Sequence, residues 1–346
     1  MKPKPTLKQI AIAGELSRWF KKNSRDLPWR RNPEPYFVWL SEIMLQQTQV
    51  ATVIPYFNRF ITQFPKVEDL ARASIDEVYQ LWAGLGYYSR ARNLHKGAQA
   101  IAARLANNQG FPQTRAEWLE IPGVGEYTAG AICSIAYNQR EAIVDGNVVR
   151  VLSRLYRIEK LDAKKEAIWE LARSLVQVPK TSPRVFNQAM MELGATVCRP
   201  KNPDCTQCPV RKSCAGKAHP EKFPEPKAKK VFKRIEEEKW ILLTEAKNER
   251  SVFLRSNPEG KWRAGLWDFP DAGSVPGVTR AKLMDQFSVN YVVTTHKVNR
   301  KHQVYHVGGA HLKNVPIQGK WFLLDDLPGV PAPVRKAIRS LNRTLK

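Results

Sequence analysis

The sequence predicts an all-α domain followed by a smaller α+β domain, each with a core of its own. Three observations predict it. Through residue 197 the apolar residues recur at three- and four-residue steps, the period of a helix face. A basic stretch at 217–234 then carries little periodicity and holds three prolines and seven Lys or Arg against two Glu, the make-up of a linker. Beyond it the apolar residues fall into short strand-like runs. With 346 residues, 43% of them hydrophobic, the chain has ample material for two cores.

Taken in order, helical patterns cover 7–20, 36–64, 68–82, 89–105, 114–137, 146–156, 164–176 and 184–197. Breakers punctuate them at Pro65, Gly84-Leu85-Gly86, Gly110, Gly123-Val124-Gly125 and Pro179. After the linker, strand-like runs lie at 239–244, 251–255, 291–295, 302–307 and 319–323, with helical stretches expected at 278–287 and 331–344. The division expected is 1–216, 217–234 and 235–346. No internal repeat is visible.

Four cysteines close the helical part: Cys198, Cys205, Cys208 and Cys214, spaced C-x6-C-x2-C-x5-C. Four thiols so close together, with only Cys133 elsewhere, signal a metal. Soft thiolates suit zinc or an iron–sulfur cluster, and spacing alone leaves both open. Disulfides are disfavoured, because the first residues carry Lys2, Lys4 and Lys8 and no apolar leader follows. Cys133, inside AGAICSIAY, reads as a small core residue. The six histidines show no spacing for a second metal.

Charge narrows the partner. Lys and Arg number 56 against 32 acids, a net charge of +24, which attracts polyanions and releases counterions from a phosphate backbone. No apolar run reaches the length of a bilayer span and no anchor motif is present, so the partner expected is nucleic acid and not a membrane.

Three segments carry chemistry. In EWLEIPGVGEYTAGA (117–131) one helix ends before Gly123-Val124-Gly125 and another starts near Glu126. The glycines let the backbone approach another chain, and the free amides of the new helix suit a phosphate. In YFVWLSEIMLQQTQV (36–50) Glu42 sits in an apolar helical run, where desolvation raises a carboxyl pKa and keeps a proton available near neutrality. The plainer role for Glu42 is an ion pair with an arginine such as Arg30. In AIVDGNVVRVL Asp145 precedes a helix and is an ordinary N-cap by position. Yet an ionised Asp beside a neutral Glu is also the pairing that breaks a glycosidic bond, one acid protonating the leaving group and the other stabilising the cationic sugar.

The set LPWR (27–30), SEIMLQQTQV (41–50), GLGYYSRARNL (84–94), IPGVGEYTAGAI (121–132), VDGNVVRV (144–151), MELGATVC (191–198) and the four cysteines resembles the MutY family. These are adenine DNA glycosylases of the helix-hairpin-helix superfamily, and GKWRAGLWDFP (260–270) is similar to their Nudix-like C-terminal domain. The resemblance implies that the four cysteines hold a [4Fe–4S] cluster and that the partner is double-stranded DNA containing a mispaired adenine. Glu42 would protonate the flipped base, Asp145 would stabilise the sugar cation, and Tyr127 and Asn147 would orient them. Trp29, Arg30, Leu45 and Glu192 would line the base pocket. Gln47, Thr48, Tyr87 and Gly123-Val124-Gly125 would contact the DNA, with Gln47 and Tyr87 filling the gap in the stack.

The resemblance also implies a monomer and a cytoplasmic, nucleoid-associated bacterial setting. Relatives of the endonuclease III type carry a lysine where this chain has Tyr127, and a phenol cannot form the imine that cleaves a strand. The family's Phe-Ser-His element, which reads 8-oxoguanine, aligns with Val298-Asn299-Arg300. These three are the opposite-base readers expected here, with an altered preference. The clustered-glutamate hydrolase signature is absent from 235–346, so that domain should recognise and not hydrolyse. Two alternatives stand beside this reading: a DNA-binding homologue with a silent pocket, and an endonuclease III-like glycosylase for damaged pyrimidines.

Overall fold

A computed structural model describes residues 5–160, 165–225, 231–246, 249–258, 265–275, 278, 281–293, 295–308 and 319–344. They divide into two compact units, Met1–Arg72 with Asn93–Ala228, and Ala73–Arg92 with Lys229–Lys346. The stretch 73–92, which holds the end of the 68–82 pattern, the Gly84-Leu85-Gly86 break and the start of the 89–105 pattern, thus groups with the second unit. Among the described residues no helix is long and apolar enough to cross a membrane.

The first unit is helical. Its elements are α1 (Leu7–Asn23), α2 (Pro28–Arg31), α3 (Pro35–Leu45), α4 (Val50–Gln63), α5 (Val67–Arg72), most of α7 (Tyr88–Ala106), α8 (Arg115–Leu119), α9 (Glu126–Ile135), α10 (Gly146–Tyr156), α11 (Lys165–Val176) and α12 (Pro183–Thr196). The single helical pattern over 36–64 is in fact two helices, broken at Gln46–Gln49, where Gln47 adopts φ 56°. Trp39 and Trp118 are fully buried and tilt against each other at 6.1 Å, joining α3 to α8. The turn before α9 needs Gly123: its φ is 81°, and a Cβ there would stand 2.6 Å from that of Asn93.

The second unit holds α6 (Ile75–Trp82), a mixed sheet and α13 (Ala332–Thr344). The strands are β1 (Lys233–Ala246), β2 (Glu249–Ser256), β3 (Trp267–Asp268), β4 (Lys282–Val293), β5 (His296–His306) and β6 (Lys320–Leu323). The sheet runs β3-β2-β1-β5-β4, with β6 paired to β2. β1 and β5 run parallel and the other pairs are antiparallel. Alternation along β1 sends Ile241 and Leu243 to one face, where Val334, Ala337 and Leu341 of α13 cover them, and Trp240 and Leu242 to the other.

One expectation is corrected here, and the residues of another are placed. Of the helix expected at 278–287, residues 282–287 lie in strand β4 (Lys282–Val293), while 279 and 280 lie outside the described residues. Leu283, Met284 and Phe287 mimic a helical step, but Phe287, Val289 and Tyr291 continue with period two and pair with β5. The base-reading loop expected at 298–300 lies inside strand β5, and two of its three side chains are sealed in. Val298 is 2% exposed and Arg300 1%. Arg300 donates from Nη1 and Nη2 to the carboxylate of Asp268 at 2.8 and 3.1 Å and from Nε to Glu237 at 2.6 Å, so it ties β5 to β1 and β3. Asn299 donates to Glu236 at 2.8 Å. Because Asp268 is itself buried, Arg300→Met should destabilise the second unit by about 3–5 kcal/mol, read as a lower urea midpoint for this unit.

Candidate active site

One cavity of about 530 Å³ in the first unit gathers Glu42, Asp145, Tyr127, Asn147, Trp29, Arg30, Leu45, Glu192, Gln47 and Thr48 from five stretches of the chain. Of the residues expected to form the pocket or its rim, these ten line it. Gly123-Val124-Gly125 form the turn that starts α9 in the same unit. Tyr87 belongs to the second unit, where it is 44% exposed with φ 49° and its ring lies against the Arg90 guanidinium at 5.4 Å. Gln47 and Tyr87 thus share a left-handed backbone that non-glycine residues adopt only where the surroundings impose it.

Glu42 is delivered by the buried face of α3 and is 5% exposed. The hydroxyl of Tyr127, on the first turn of α9, donates to its Oε2 at 2.8 Å. Burial pushes the Glu42 carboxyl up to about 7; the Tyr127 hydrogen bond opposes this and the charge of Asp145 adds to it. Burial and the two nearby carboxylates also lift the Tyr127 phenol well above its usual range, which leaves it a donor at neutral pH. The plain ion pair of Glu42 with Arg30 is not formed. Arg30 instead donates to Glu192 at 2.8 Å.

Asp145 is the N-cap of α10, its Oδ1 accepting from the Val148 amide at 2.7 Å and its Oδ2 from the Asn147 side chain at 2.9 Å. Burial raises its pKa, while these two donors and the charge of Arg150 favour the carboxylate. Gly194 on α12 lets the start of α10 come close, because a Cβ there would meet that of Asn147 at 2.5 Å. The cap is therefore the structural role expected of an Asp before a helix, carried out inside the pocket.

Glu192 on α12 is 1% exposed and held by two arginines, Arg25 at 2.6 Å and Arg30 at 2.8 Å. Burial alone would raise its pKa, but their hydrogen bonds and charge hold it below the usual range, so it is an ionised wall of the cavity. Arg25 and Gln188, which belong to none of the motifs, also line the cavity, as does Met191 at the head of MELGATVC, to which no role was assigned. Arg25 stands two residues before the LPWR motif and 167 residues from its partner, and only a buried Glu192 needing a second cation could have pointed to it. Met191 places Sδ 3.2 Å from the Tyr127 hydroxyl.

The four cysteines are partly buried free thiols. Arg154 of α10, 4% exposed, holds this segment: its Nη1 donates to Cys198 Sγ at 3.3 Å and to Arg199 O at 2.7 Å, and its Nε to Pro220 O at 2.9 Å. Its own carbonyl accepts from Cys214 at 3.4 Å. Arg150 spans the gap to the pocket, donating to Cys198 O and to Asn147 Oδ1, each at 2.8 Å. A chain of hydrogen bonds therefore runs from Asp145 through Asn147 and Arg150 to the first cysteine. Burial pushes the Cys208 thiol up to about 12, a backbone hydrogen bond from Val210 opposes this, and the nearby Cys198, Cys214 and Cys205 add to it. Four soft donors suit an iron–sulfur cluster. Among the described residues no group of three or more His, Cys, Asp or Glu side chains is placed to hold a metal ion. Cys133 is fully buried in α9, in keeping with a core role.

The HhH-GPD family model, described as a superfamily of base excision DNA repair proteins, matches residues 40–177, the stretch that supplies Glu42, Tyr127 and Asp145 to the cavity. The human adenine DNA glycosylase is 50% identical over 59% of this chain and 39% of its own length. That of Buchnera aphidicola from Schizaphis graminum is 32% identical over 93% of this chain and 96% of its own. The solved structure of a thermostable thymine-DNA glycosylase superposes with a TM-score of 0.54 at 29% identity, covering 61% of this chain and 97% of that one. The chain belongs to the adenine DNA glycosylase family. It spans about four tenths of the length of its mammalian relatives.

Proposed function

We propose that this protein removes adenine mispaired with 8-oxoguanine or guanine from duplex DNA by hydrolysing its N-glycosidic bond. The observation that carries the proposal is the cavity in which a buried, protonatable Glu42 and a hydrogen-bonded Asp145 carboxylate lie together. A base flipped into it meets a proton on Glu42, which passes to N7 and makes the purine a leaving group. The C1′–N9 electron pair departs with the base, and Asp145 stabilises the cationic sugar until water adds and gives its proton back to the Glu42 carboxylate. Tyr127 fixes the Glu42 carboxyl and Asn147 fixes Asp145. Trp29, Arg30, Leu45 and the ionised Glu192 shape the base pocket, while Gln47, Thr48, Tyr87 and the turn at 123–125 hold the DNA. Val298 and Arg300, buried in β5, are dropped as opposite-base readers, which leaves Asn299 of that trio.

Cys198, Cys205, Cys208 and Cys214 would hold a [4Fe–4S] cluster, whose place is to fix the segment gripped by Arg150 and Arg154. The purified protein should be yellow-brown, with a broad absorbance near about 400 nm from thiolate-to-iron charge transfer. Colourless protein carrying stoichiometric zinc after anaerobic preparation would contradict this. The second unit, a mixed sheet backed by α13, supports a Nudix-like recognition domain.

Tyr127 offers no amine, so borohydride should trap no covalent DNA adduct; strong trapping would favour the glycosylase/lyase alternative. The proposal is tested by measuring excision of adenine opposite 8-oxoguanine, G, C and T. Release opposite the first two supports it. No release from any of the four would leave the DNA-binding alternative.

A further inference from the structure

A recess of about 970 Å³ opens in the first unit between the C-terminal half of α1 and the cysteine-bearing segment. Three cations line it from each side, Arg18, Lys21 and Lys22 on α1 and Arg211, Lys212 and Lys217 opposite. All six are exposed, and among the described residues none enters an ion pair. Other arginines of this unit are paired, including Arg104 with Glu117 and Arg173 with Glu166. Lys21 and Lys22 complement the carbonyl end of α1, but that leaves the three facing cations without a role. Glu15 is the one acid in the lining. Trp19, half-buried, lines the same recess.

We propose that this recess is a second nucleic-acid site, which takes a single strand with its phosphates between the two basic walls and a base on Trp19. Two rows of unpaired cations flanking one aromatic plane match what single strands need, charge along the backbone and a face for stacking. An extended strand with splayed bases needs a basic groove and a stacking face, and the recess between α1 and the cysteine-bearing segment offers both. An acidic peptide would satisfy the cations but leave the Trp19 face without a base.

The test uses the full chain and a short oligothymidylate. In K21Q/K22Q the affinity should fall about tenfold, and the slope of log affinity against log salt should shrink by about 1.4, because two fewer phosphates are neutralised. Affinity for a blunt, fully paired duplex and the wild-type rate of adenine excision should stay unchanged. A bromouracil-bearing oligonucleotide should photocrosslink to Trp19, located by mass spectrometry. Unchanged single-strand affinity, an equal loss for duplex, crosslinks confined elsewhere, or displacement of the oligonucleotide by polyglutamate at lower charge concentration would each overturn the assignment. Because the primary readout is binding, failure of the excision chemistry would leave this result standing.

Discussion

Glu42→Gln is expected to abolish adenine release, by at least ~10²-fold, while duplex binding stays close to wild type. The amide keeps the size of the carboxyl and can still accept from Tyr127, but it has no proton to give at neutral pH. Single-turnover excision and filter binding, measured on the same duplex, separate the two effects. Wild-type excision by the variant would remove Glu42 from the chemistry. A second signature follows from burial. Glu42 goes from its ordinary 4.5 to about 7 in the folded chain, so the folded state binds this proton more tightly than the unfolded one. Its contribution to stability is fully present below pH 4.5 and is lost as pH rises through about 7, a change of roughly 3 kcal/mol. Glu42→Gln should flatten the stability of the first unit across that window.

Asp145→Asn is expected to cost about 10²–10³ in excision rate, because a neutral amide stabilises a sugar cation poorly. Its effect on folding should be small. Asparagine caps helices about as well as aspartate, so α10 keeps the bond from Val148 and unfolding midpoints should stay near wild type. Loss of activity together with a large loss of stability would mean that Asp145 acts only as a cap.

Much of the helical unit was legible because its signals are local. The three- and four-residue steps of α1, α10 and α12 mark their buried faces, and the Pro-Gly-Val-Gly run announces the turn before α9. The break between α3 and α4 was not legible: Gln46-Gln47-Thr48-Gln49 holds neither Gly nor Pro, and Gln47 takes up its left-handed backbone regardless. β4 was misread because the first half of its apolar pattern satisfies two periods at once. In the pocket, the acids were legible from where they sit in apolar runs. Their partners were not. The clamp of Arg25 and Arg30 on Glu192, and that of Arg300 on Asp268, close over 32 to 167 residues, and nothing local in the sequence pairs them.

The central claim is that Glu42 and Asp145 release an adenine without cutting the strand. It is tested most directly by single-turnover reaction of the full chain with a duplex holding one adenine opposite 8-oxoguanine, followed by mass spectrometry of base and strand as pH is varied. The expected result is free adenine, an abasic strand that stays whole until treated with alkali, and a rate that falls as pH rises through about 7, where Glu42 loses its proton. An intact adenine strand at every pH, or a strand nicked without alkali at a rate that rises through the same window, would contradict the account.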